Sequence, residues 1–243
     1  MKRTDSKILS NIKYIYFDFF NTLAEFYPPR EELQANAAAS LGIKVDPLSI
    51  RSAYSIADAF MGRENTRYPL AKRASKEVAL FWADYEQLLL TTAGINITKE
   101  RAGLVFEKLA TLAQRFILFD DVAETLKYLK SLGLSIGLIS NMNQDLSAII
   151  DELGISLYID CVATSGMAGA AKPDRALFRY ALDLISARPE QAAHVGDDYE
   201  GDVLGAVNAG MLPILIDREQ KIKNQDENII SITSLNQLKQ IFI

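Results

Sequence analysis

The sequence predicts an α/β protein with a doubly wound parallel sheet and a second, all-helical domain inserted after the first strand. Short apolar runs rich in β-branched residues alternate with helical patterns over most of the chain, which is typical of a parallel sheet. Between residues 24 and 115 this alternation stops and helix-period segments follow one another. Polar residues also collect where the predicted strands end, which is where open parallel sheets bind ligands.

The first strand is predicted in "YIYFDF", an apolar run that breaks off at Asp18. Later apolar runs of the same kind predict the other strands of the sheet. They are "LSIGLIS", "YIDCVATS", "AAHVGD" and "LPILID".

Helical patterns follow or separate these runs, and several of them end at a glycine that suits a left-handed cap. In the sheet domain they are "DVAETLKYLKSLG", "NQDLSAIIDELG", "KPDRALFRYALDLIS", "EGDVLGAVNAG" and "SLNQLKQIF". In the insert they are "REELQANAAASLG", "PLSIRSAYSIADAFMG", "LAKRASKEVALFWADYEQLLLTTAG" and "KERAGLVFEKLATLAQRF". Since sheet elements occur on both sides of the insert, we predict a core domain at 1–23 and 116–243 and a helical domain at 24–115.

Composition bounds the classes of function. The chain of 243 residues is 49% hydrophobic and 23% charged, with a formal net charge of -5. This balance gives no general attraction for nucleic acid or an anionic membrane, so we expect neither as a partner. The polar residues near the N-terminus interrupt any leader-like apolar run, and the single cysteine fits a reducing compartment, so we expect a cytoplasmic protein. We expect a monomer or homodimer.

The polar residues at the strand ends are the candidate site. Asp18 ends the first strand, Ser140 and Asn141 end "SIGLISN", and Lys172 precedes a predicted helix. Three aspartates follow the strand "AAHVG" in "DDYEGD": Asp197, Asp198 and Asp202.

Each of these residues has a simpler explanation when taken singly. Ser140 or Asp198 can cap a helix, and Lys172 can be a solvated charge. Several acids on one rim are harder to explain, because two carboxylates about 4 Å apart repel by roughly 4 kcal/mol at an effective dielectric constant of about 20. Such a cluster favours a hard, oxygen-liganded cation, and Mg²⁺ is the expected cofactor.

The motifs, in this order, resemble those of the haloacid dehalogenase-like hydrolase superfamily, whose members are mostly phosphatases. "FDFFNTL" resembles the first motif, "LISN" the second, "AKPD" the third and "HVGDDYEGDVLGAVNAGM" the fourth. The ordered set is far more specific than any one motif. By its position, the helical insert resembles the cap of that superfamily, which closes over the site and selects the substrate.

The resemblance implies a role for each candidate residue. Asp18 would be the nucleophile that forms an aspartyl intermediate. Thr22 and Ser140 would hydrogen-bond the transferring group, Asn141 would help to bind an anionic small-molecule substrate, and Lys172 would neutralise that group and orient Asp18. The implied Mg²⁺ set combines Asp18, the main-chain carbonyl of Phe20 and Asp197, with Asp198 and Asp202 as direct ligands or as acids that hold the ligands in place.

Phe20 departs from the phosphatase pattern. Phosphatases of this superfamily usually carry a second aspartate there, which protonates the leaving oxygen and later activates water. Phenylalanine can do neither, and loss of general acid-base assistance costs roughly 10² to 10⁴ in rate. Because only the backbone carbonyl would bind the metal, Mg²⁺ binding should survive the replacement.

Two alternatives remain open. The dehalogenase branch also has a non-acidic, usually aromatic, residue at the position of Phe20 and uses no metal, but its fourth motif resembles "SxNxxD", whereas this chain has the acid-rich "GDDYEGD" of the magnesium-dependent members. Alternatively, the fold has lost catalysis and binds a ligand or protein partner. Intact Asp18, Lys172 and Asp197 count against that third hypothesis.

Several other residues have structural interpretations. Cys161 lies in an apolar run, and we expect a small buried residue. His194, the only histidine, is expected to be a satisfied structural residue. In the insert, Phe81, Trp82 and Tyr85 indicate packing. The insert also has a group of cations, for which a solvated face is the first interpretation and a clamp for an anionic substrate the alternative: Arg63, Arg67, Lys72 and Arg73. Glu64 or Tyr68 could supply a substitute acid.

Overall fold

The computed structural model describes residues 6–112, 115–220 and 229–243. The contacts divide the chain into two compact units, Met1–Glu25 with Phe116–Ile243 and Phe26–Arg115. We call them the sheet unit and the helical unit. The first boundary falls two residues after the predicted one, and the second coincides with it.

Six parallel strands form the sheet of the sheet unit, in the order β5-β4-β1-β6-β7-β8. The predicted α/β class with a doubly wound parallel sheet is confirmed. The strands in the described residues are β1 Tyr14–Phe17, β2 Ala24–Tyr27, β3 Arg115–Leu118, β4 Ser135–Ser140, β5 Cys161–Thr164, β6 Ala192–Gly196, β7 Leu212–Ile216 and β8 Ile230–Ile232.

The helices agree with the predicted pattern in most places. They are α1 Ser6–Leu9, α2 Arg30–Ser40, α3 Pro47–Arg67, α4 Ser75–Thr92, α5 Lys99–Leu109, α6 Val122–Ser131, α7 Ser147–Glu152, α8 Ser165–Ala168, α9 Arg175–Leu184, α10 Gly205–Ala209 and α11 Leu238–Ile241. The predicted helix "EGDVLGAVNAG" is a π-helical turn, Tyr199–Leu204, followed by α10. Among the described residues, none of the helices combines the length and the apolar character that crossing a bilayer requires.

The central strand β1 separates two hydrophobic cores. Ile15 and Phe17 lie in the larger core, which includes residues of α6 and α11, whereas Tyr16 lies in the core formed with α9 and α10. This alternation follows from the period of two along a strand. The Tyr16 hydroxyl is also held in place, because it donates a hydrogen bond to the carbonyl of Ala181 at 3.1 Å.

The helical unit contains α2 to α5 and has cores of its own. Phe81 and Tyr85 are buried in one of them, and the ring of Trp82 packs against both residues. The prediction that these aromatic residues pack inside the insert is confirmed. The same helix also buries a carboxyl group, since Glu86 is fully buried and accepts a hydrogen bond from Gln34.

The prediction that the insert contains no strand is wrong at its two ends. β2 and β3 pair with each other as a two-stranded sheet, and the first two residues of β3 are the last two that the prediction placed in the final helix. Each strand has four residues, too short for an alternating pattern to stand out. β8 was missed for the same reason, having three residues. Residues 113–114 of the predicted last helix, and residues 1–5 of the N-terminal stretch that we judged not leader-like, lie outside the described residues.

Candidate active site

Three adjacent strands deliver the candidate catalytic residues to one edge of the sheet. β1 lies between β4 and β6, with Phe17 opposite Leu138 on one side and Val195 on the other. The strand order reverses at β1, which is the switch point where such sheets bind ligands. Consequently Asp18 follows β1, Ser140 ends β4 and Asp197 follows β6 at the same edge.

Lys172 lies at the centre of the site. Its ammonium donates to Asp18 Oδ1 at 2.5 Å and to Asp202 Oδ1 at 2.6 Å. All three side chains are buried, so these ion pairs are poorly screened by solvent. Burial by itself would lower the pKa of Lys172, but Asp18 and then Asp202 outweigh it and raise the pKa. Lys172 is therefore a fixed positive charge beside Asp18.

Asp202 is held by protein donors at both of its oxygens. Oδ1 contacts Lys172 Nζ and lies 2.7 Å from His194 Nε2, and Oδ2 accepts from the N–H of Asp198 at 3.1 Å. Gly196 is necessary for this arrangement, since a Cβ there would lie 2.1 Å from the Asp202 carboxyl carbon. His194 is satisfied at one nitrogen only, because its buried Nδ1 has no partner among the described residues.

Three acids converge near the ammonium. One carboxylate oxygen from each of Asp18, Asp197 and Asp202 lies within 4.8 Å of the others. Burial raises the pKa of Asp18 to about 6, and Asp202 adds to this rise although Lys172 opposes it. Burial, followed by Asp18 and Asp202, raises the pKa of Asp197 well above its ordinary value. Three carboxyl groups thus face one ammonium, and the rises in pKa reflect the cost of bringing their negative charges together in a buried site.

The donor chemistry fits Mg²⁺. The cluster offers only carboxylate oxygens, which are hard ligands suited to this ion. Asp18 and Asp197 are the acids of the cluster that can turn oxygens to it, because Asp202 is engaged with Lys172, His194 and the Asp198 N–H.

Asp198 lies apart from this carboxylate cluster. Its Oδ1 accepts the N–H of Glu200 at 3.1 Å and so caps the π-helical turn. Burial raises the pKa of Asp198, and the neighbouring charge of Asp202 raises it further. The metal role assigned to Asp198 stays a prediction, and the contacts of its carboxylate are those of a cap.

Phe20 lies in the short loop between β1 and β2, where it forms an isolated bridge with Ala24. Its ring packs against the larger core and meets the ring of Phe116 edge to face at 6.4 Å between centroids. Where the phosphatase pattern has a second aspartate, this chain therefore has a packed aromatic ring.

The polar residues predicted to bind substrate have different environments. Thr22 is fully buried, and its Oγ1 has no hydrogen-bond partner among the described residues. Ser140 Oγ accepts from the N–H of Met142 at 3.3 Å, which leaves its own proton available for donation. The side chain of Asn141 instead holds the main chain of Lys172, accepting its N–H at 2.6 Å and donating to its carbonyl at 3.3 Å. The predicted substrate contact of Asn141 stays untested.

Three of the predicted candidates of the insert, Arg73, Glu64 and Tyr68, contact one another or the main chain beside them within the helical unit. Arg73 donates to the main-chain carbonyls of Glu64 and Tyr68, and its guanidinium also lies 3.4 Å from the Glu64 carboxylate. The Tyr68 hydroxyl donates to the carbonyl of Lys72 at 2.7 Å. Arg73, Glu64 and Tyr68 thus stabilise the segment that joins α3 to α4.

Sequence reasoning missed Arg218, which donates a hydrogen bond to the carbonyl of Thr22 at 2.8 Å. No motif marks this arginine, because its partners are 97 and 196 residues away in the chain. Cys161, expected to be buried, is half-buried in β5 beside Tyr16.

Comparison with known proteins gives a consistent result. The model of the haloacid dehalogenase-like hydrolases matches residues 12–210. Haloacid dehalogenase-like hydrolase domain-containing protein 3 of Xenopus laevis is 29% identical over 209 residues, covering 85% of this chain and 84% of that protein. The glyceraldehyde 3-phosphate phosphatase of Methanothermobacter thermautotrophicus is 27% identical over 241 residues, covering 95% of this chain and 99% of the relative.

A solved structure shows the same fold. The hydrolase YfnB from Bacillus subtilis, bound to magnesium, superposes with a TM-score of 0.69 at 18% identity, covering 95% of this chain and 98% of the other. The ordered motifs, the edge of the sheet at which their residues meet and the family match over most of the chain lead to one conclusion. The chain belongs to the haloacid dehalogenase-like hydrolases.

Proposed function

We propose that this hydrolase is a Mg²⁺-dependent phosphatase that acts on a small phosphorylated metabolite through an aspartyl-phosphate at Asp18. The observation that carries the proposal is the pairing of Asp18 with Lys172 inside a cluster of carboxylates that one ammonium cannot neutralise. The similarity to a protein named glyceraldehyde 3-phosphate phosphatase supports a phosphate ester as the substrate class.

Mg²⁺ would be held by Asp18, Asp197 and the main-chain carbonyl of Phe20. When bound, the ion supplies the positive charge that lets an anionic phosphate approach these acids and that offsets charge on the phosphoryl oxygens. Asp202 keeps Lys172 and the Asp198 main chain in place through its hydrogen bonds. Asp198 keeps the start of the π-helical turn in place.

Asp18 provides the nucleophile. Its Oδ1 is held by Lys172, which leaves Oδ2 to attack phosphorus. The new bond joins Asp18 to phosphorus, and the bond between phosphorus and the leaving oxygen breaks, with its electron pair departing on that oxygen. Water then attacks the phosphorus of the acyl phosphate, which releases inorganic phosphate and restores the carboxylate.

Three side chains would bind the transferring group. Lys172 places a positive charge beside the bond that forms, while Thr22 and Ser140 have hydroxyl protons to donate to phosphoryl oxygens. The buried hydroxyl of Thr22, which has no partner among the described residues, gains one when a phosphate is bound. Such a group is costly when unpaired, so a bound oxyanion removes that cost.

Phe20 cannot protonate the leaving oxygen. Leaving groups that depart readily as anions, such as an aryl oxide, should therefore be favoured over simple alkoxides. The same observation favours a second candidate, metal-independent displacement of halide from a 2-haloacid, since halide leaves without a proton. Against it stand Asp197 and Asp202, whose carboxylates lie beside Asp18 and would repel a carboxylate substrate.

The test compares the wild-type protein, Asp18→Asn and Asp151→Asn, an exposed aspartate on α7 that serves as the control. We expect wild type and the control to hydrolyse p-nitrophenyl phosphate with Mg²⁺ and to lose this activity in EDTA, and Asp18→Asn to be inactive. The shift in unfolding temperature on addition of Mg²⁺ alone measures metal binding in a way that does not depend on turnover. Undiminished hydrolysis by Asp18→Asn would reject the nucleophile, and halide release from 2-chloropropionate in EDTA would favour the dehalogenase.

A further inference from the structure

The loop that carries Thr22 is a tight turn closed by backbone hydrogen bonds. Its internal hydrogen bonds run from the N–H groups of Leu23 and Ala24 to the carbonyl of Phe19, at 2.9 and 3.0 Å, and from Asn21 N–H to the Ala24 carbonyl at 2.8 Å. Asn21 has φ of 60°, in the left-handed region. The Thr22 carbonyl takes no part in this internal set and accepts a side-chain donor instead.

That donor is Arg218, which follows β7. Its Nη2 donates to the Thr22 carbonyl at 2.8 Å and to Asp121 Oδ1 at 2.9 Å, and its Nη1 donates to Asp121 Oδ2 at 3.0 Å. The guanidinium also lies over the ring of Phe119, 4.0 Å from its centroid. A forked pair and a stacked ring fix the plane of the guanidinium, which sets the direction of the hydrogen bond to Thr22.

Asp121 is itself held firmly. Besides Arg218, it accepts the Ser234 hydroxyl at 2.6 Å and the Leu235 N–H at 2.9 Å. Burial opposes ionisation of Asp121, but the hydrogen bonds from Arg218 and Ser234 outweigh it and lower the pKa. Asp121 is therefore a carboxylate with a fixed orientation, and Arg218 inherits that orientation.

We propose that Arg218 is a positioning residue for the phosphatase reaction, acting through the main chain of Thr22. The inference rests on the proposed function. Arg218 fixes the Thr22 carbonyl, and the same residue carries the buried hydroxyl that has no partner among the described residues. Without this hydrogen bond the Thr22–Leu23 peptide is held only by the bond from its N–H to the Phe19 carbonyl, so it can tilt and carry the hydroxyl away from the phosphoryl oxygen. Misplacement of this kind costs about 10- to 100-fold in rate.

The experiment is a double-mutant cycle. Arg218→Met removes the donors, and Arg218→Lys keeps a charge beside Asp121 in case the first variant does not fold. Thr22→Val removes the hydroxyl with little change in shape, and each Arg218 variant is made in both backgrounds. The control, Arg179→Met, makes the same replacement at an exposed arginine on α9, which takes no part in the contacts of Thr22, Asp121 and Arg218 described above.

Two quantities are measured at a temperature where every variant is folded by circular dichroism: kcat with p-nitrophenyl phosphate, and the Kd of inorganic phosphate in the presence of Mg²⁺. We expect the Arg218 variants to lower kcat about 10- to 100-fold and to weaken phosphate binding, and to have little further effect once Thr22 is valine. The control should keep kcat within about twofold of wild type, since its side chain is exposed and lies outside these contacts.

The outcomes separate the two hypotheses. If the wild type is active and the Arg218 variants keep full kcat, the positioning role is overturned and the phosphatase proposal stays intact. The same conclusion follows if the losses in kcat of the Arg218 variants simply multiply those of Thr22→Val. Wild-type protein that neither hydrolyses the ester nor binds phosphate would overturn both.

Discussion

Glu86 in the helical unit provides a test of buried electrostatics that is independent of catalysis. Its side chain is fully buried, its Oε1 accepts a hydrogen bond from Gln34, and its Oε2 has no partner among the described residues. Burial raises the pKa of Glu86 from 4.5 to about 8, although the hydrogen bond from Gln34 opposes the rise. The folded protein therefore keeps a proton that the unfolded chain loses near pH 4.5.

The sign of the pH dependence follows from this difference. Below pH 4.5 both states are protonated and Glu86 costs no stability; as pH rises towards 8, only the unfolded chain releases the proton, so the folded state becomes less stable. At about 1.36 kcal/mol per pH unit, the full interval from 4.5 to about 8 corresponds to about 5 kcal/mol, and the interval from pH 5 to pH 8 to about 4 kcal/mol. Glu86→Gln removes the titrating group and should abolish this loss.

Trp82 makes the measurement specific. It is the only tryptophan in the chain, and its ring packs against Phe106 in the helical unit, so its fluorescence reports unfolding there. Urea titrations at pH 5 and pH 8 would give the free energy of unfolding for wild type, Glu86→Gln and the exposed control Glu107→Gln. We expect the free energy of unfolding of Glu86→Gln to increase relative to that of wild type as pH rises, and that of the control to change with pH as wild type does. Equal pH dependence in all three proteins would refute the reasoning.

Three further predictions concern the sheet unit. Phe20→Asp supplies the missing proton donor and should raise kcat for alkyl phosphates by about 10-fold or more, with little change for p-nitrophenyl phosphate; no gain in a steady-state assay of both esters would contradict this. Gly196→Ala forces a Cβ against the carboxyl of Asp202 and should cost about 1 to 3 kcal/mol of stability, together with most of the activity. Thermal unfolding and kcat measured on the same sample test it, and an unaltered kcat would count against the close contact. Asn141→Ala removes both hydrogen bonds that hold the main chain of Lys172, so kcat should fall; an unaltered kcat would show that these hydrogen bonds are not needed.

Local pattern was sufficient for much of the fold. Apolar runs such as "YIYF" and "SIGLIS" indicated strands because a strand buried on both faces is apolar along its length. The helices of the insert were recognisable from their period. The short strands β2 and β3 were not, because each is stabilised by pairing with the other across a long stretch of chain rather than by its own pattern.

The candidate site was partly readable for a related reason. Residues directly after parallel strands must meet at one edge, so Asp18, Ser140 and Asp197 could be grouped from their positions alone. Their distances, and the fact that Lys172 pairs with both Asp18 and Asp202, come from loops whose paths no local pattern specifies.

The sequence by itself determined the fold class, the helical insert and the set of acids at the strand ends, because periodicity and position along a strand are local properties. Only the tertiary structure decided how each side chain is used: that Lys172 pairs with both Asp18 and Asp202, that Asn141 holds the main chain of Lys172, and that Arg218 reaches the loop at Thr22. The physical reason is that a hydrogen bond depends on distance and direction between groups far apart in the chain, and these are set when the cores pack.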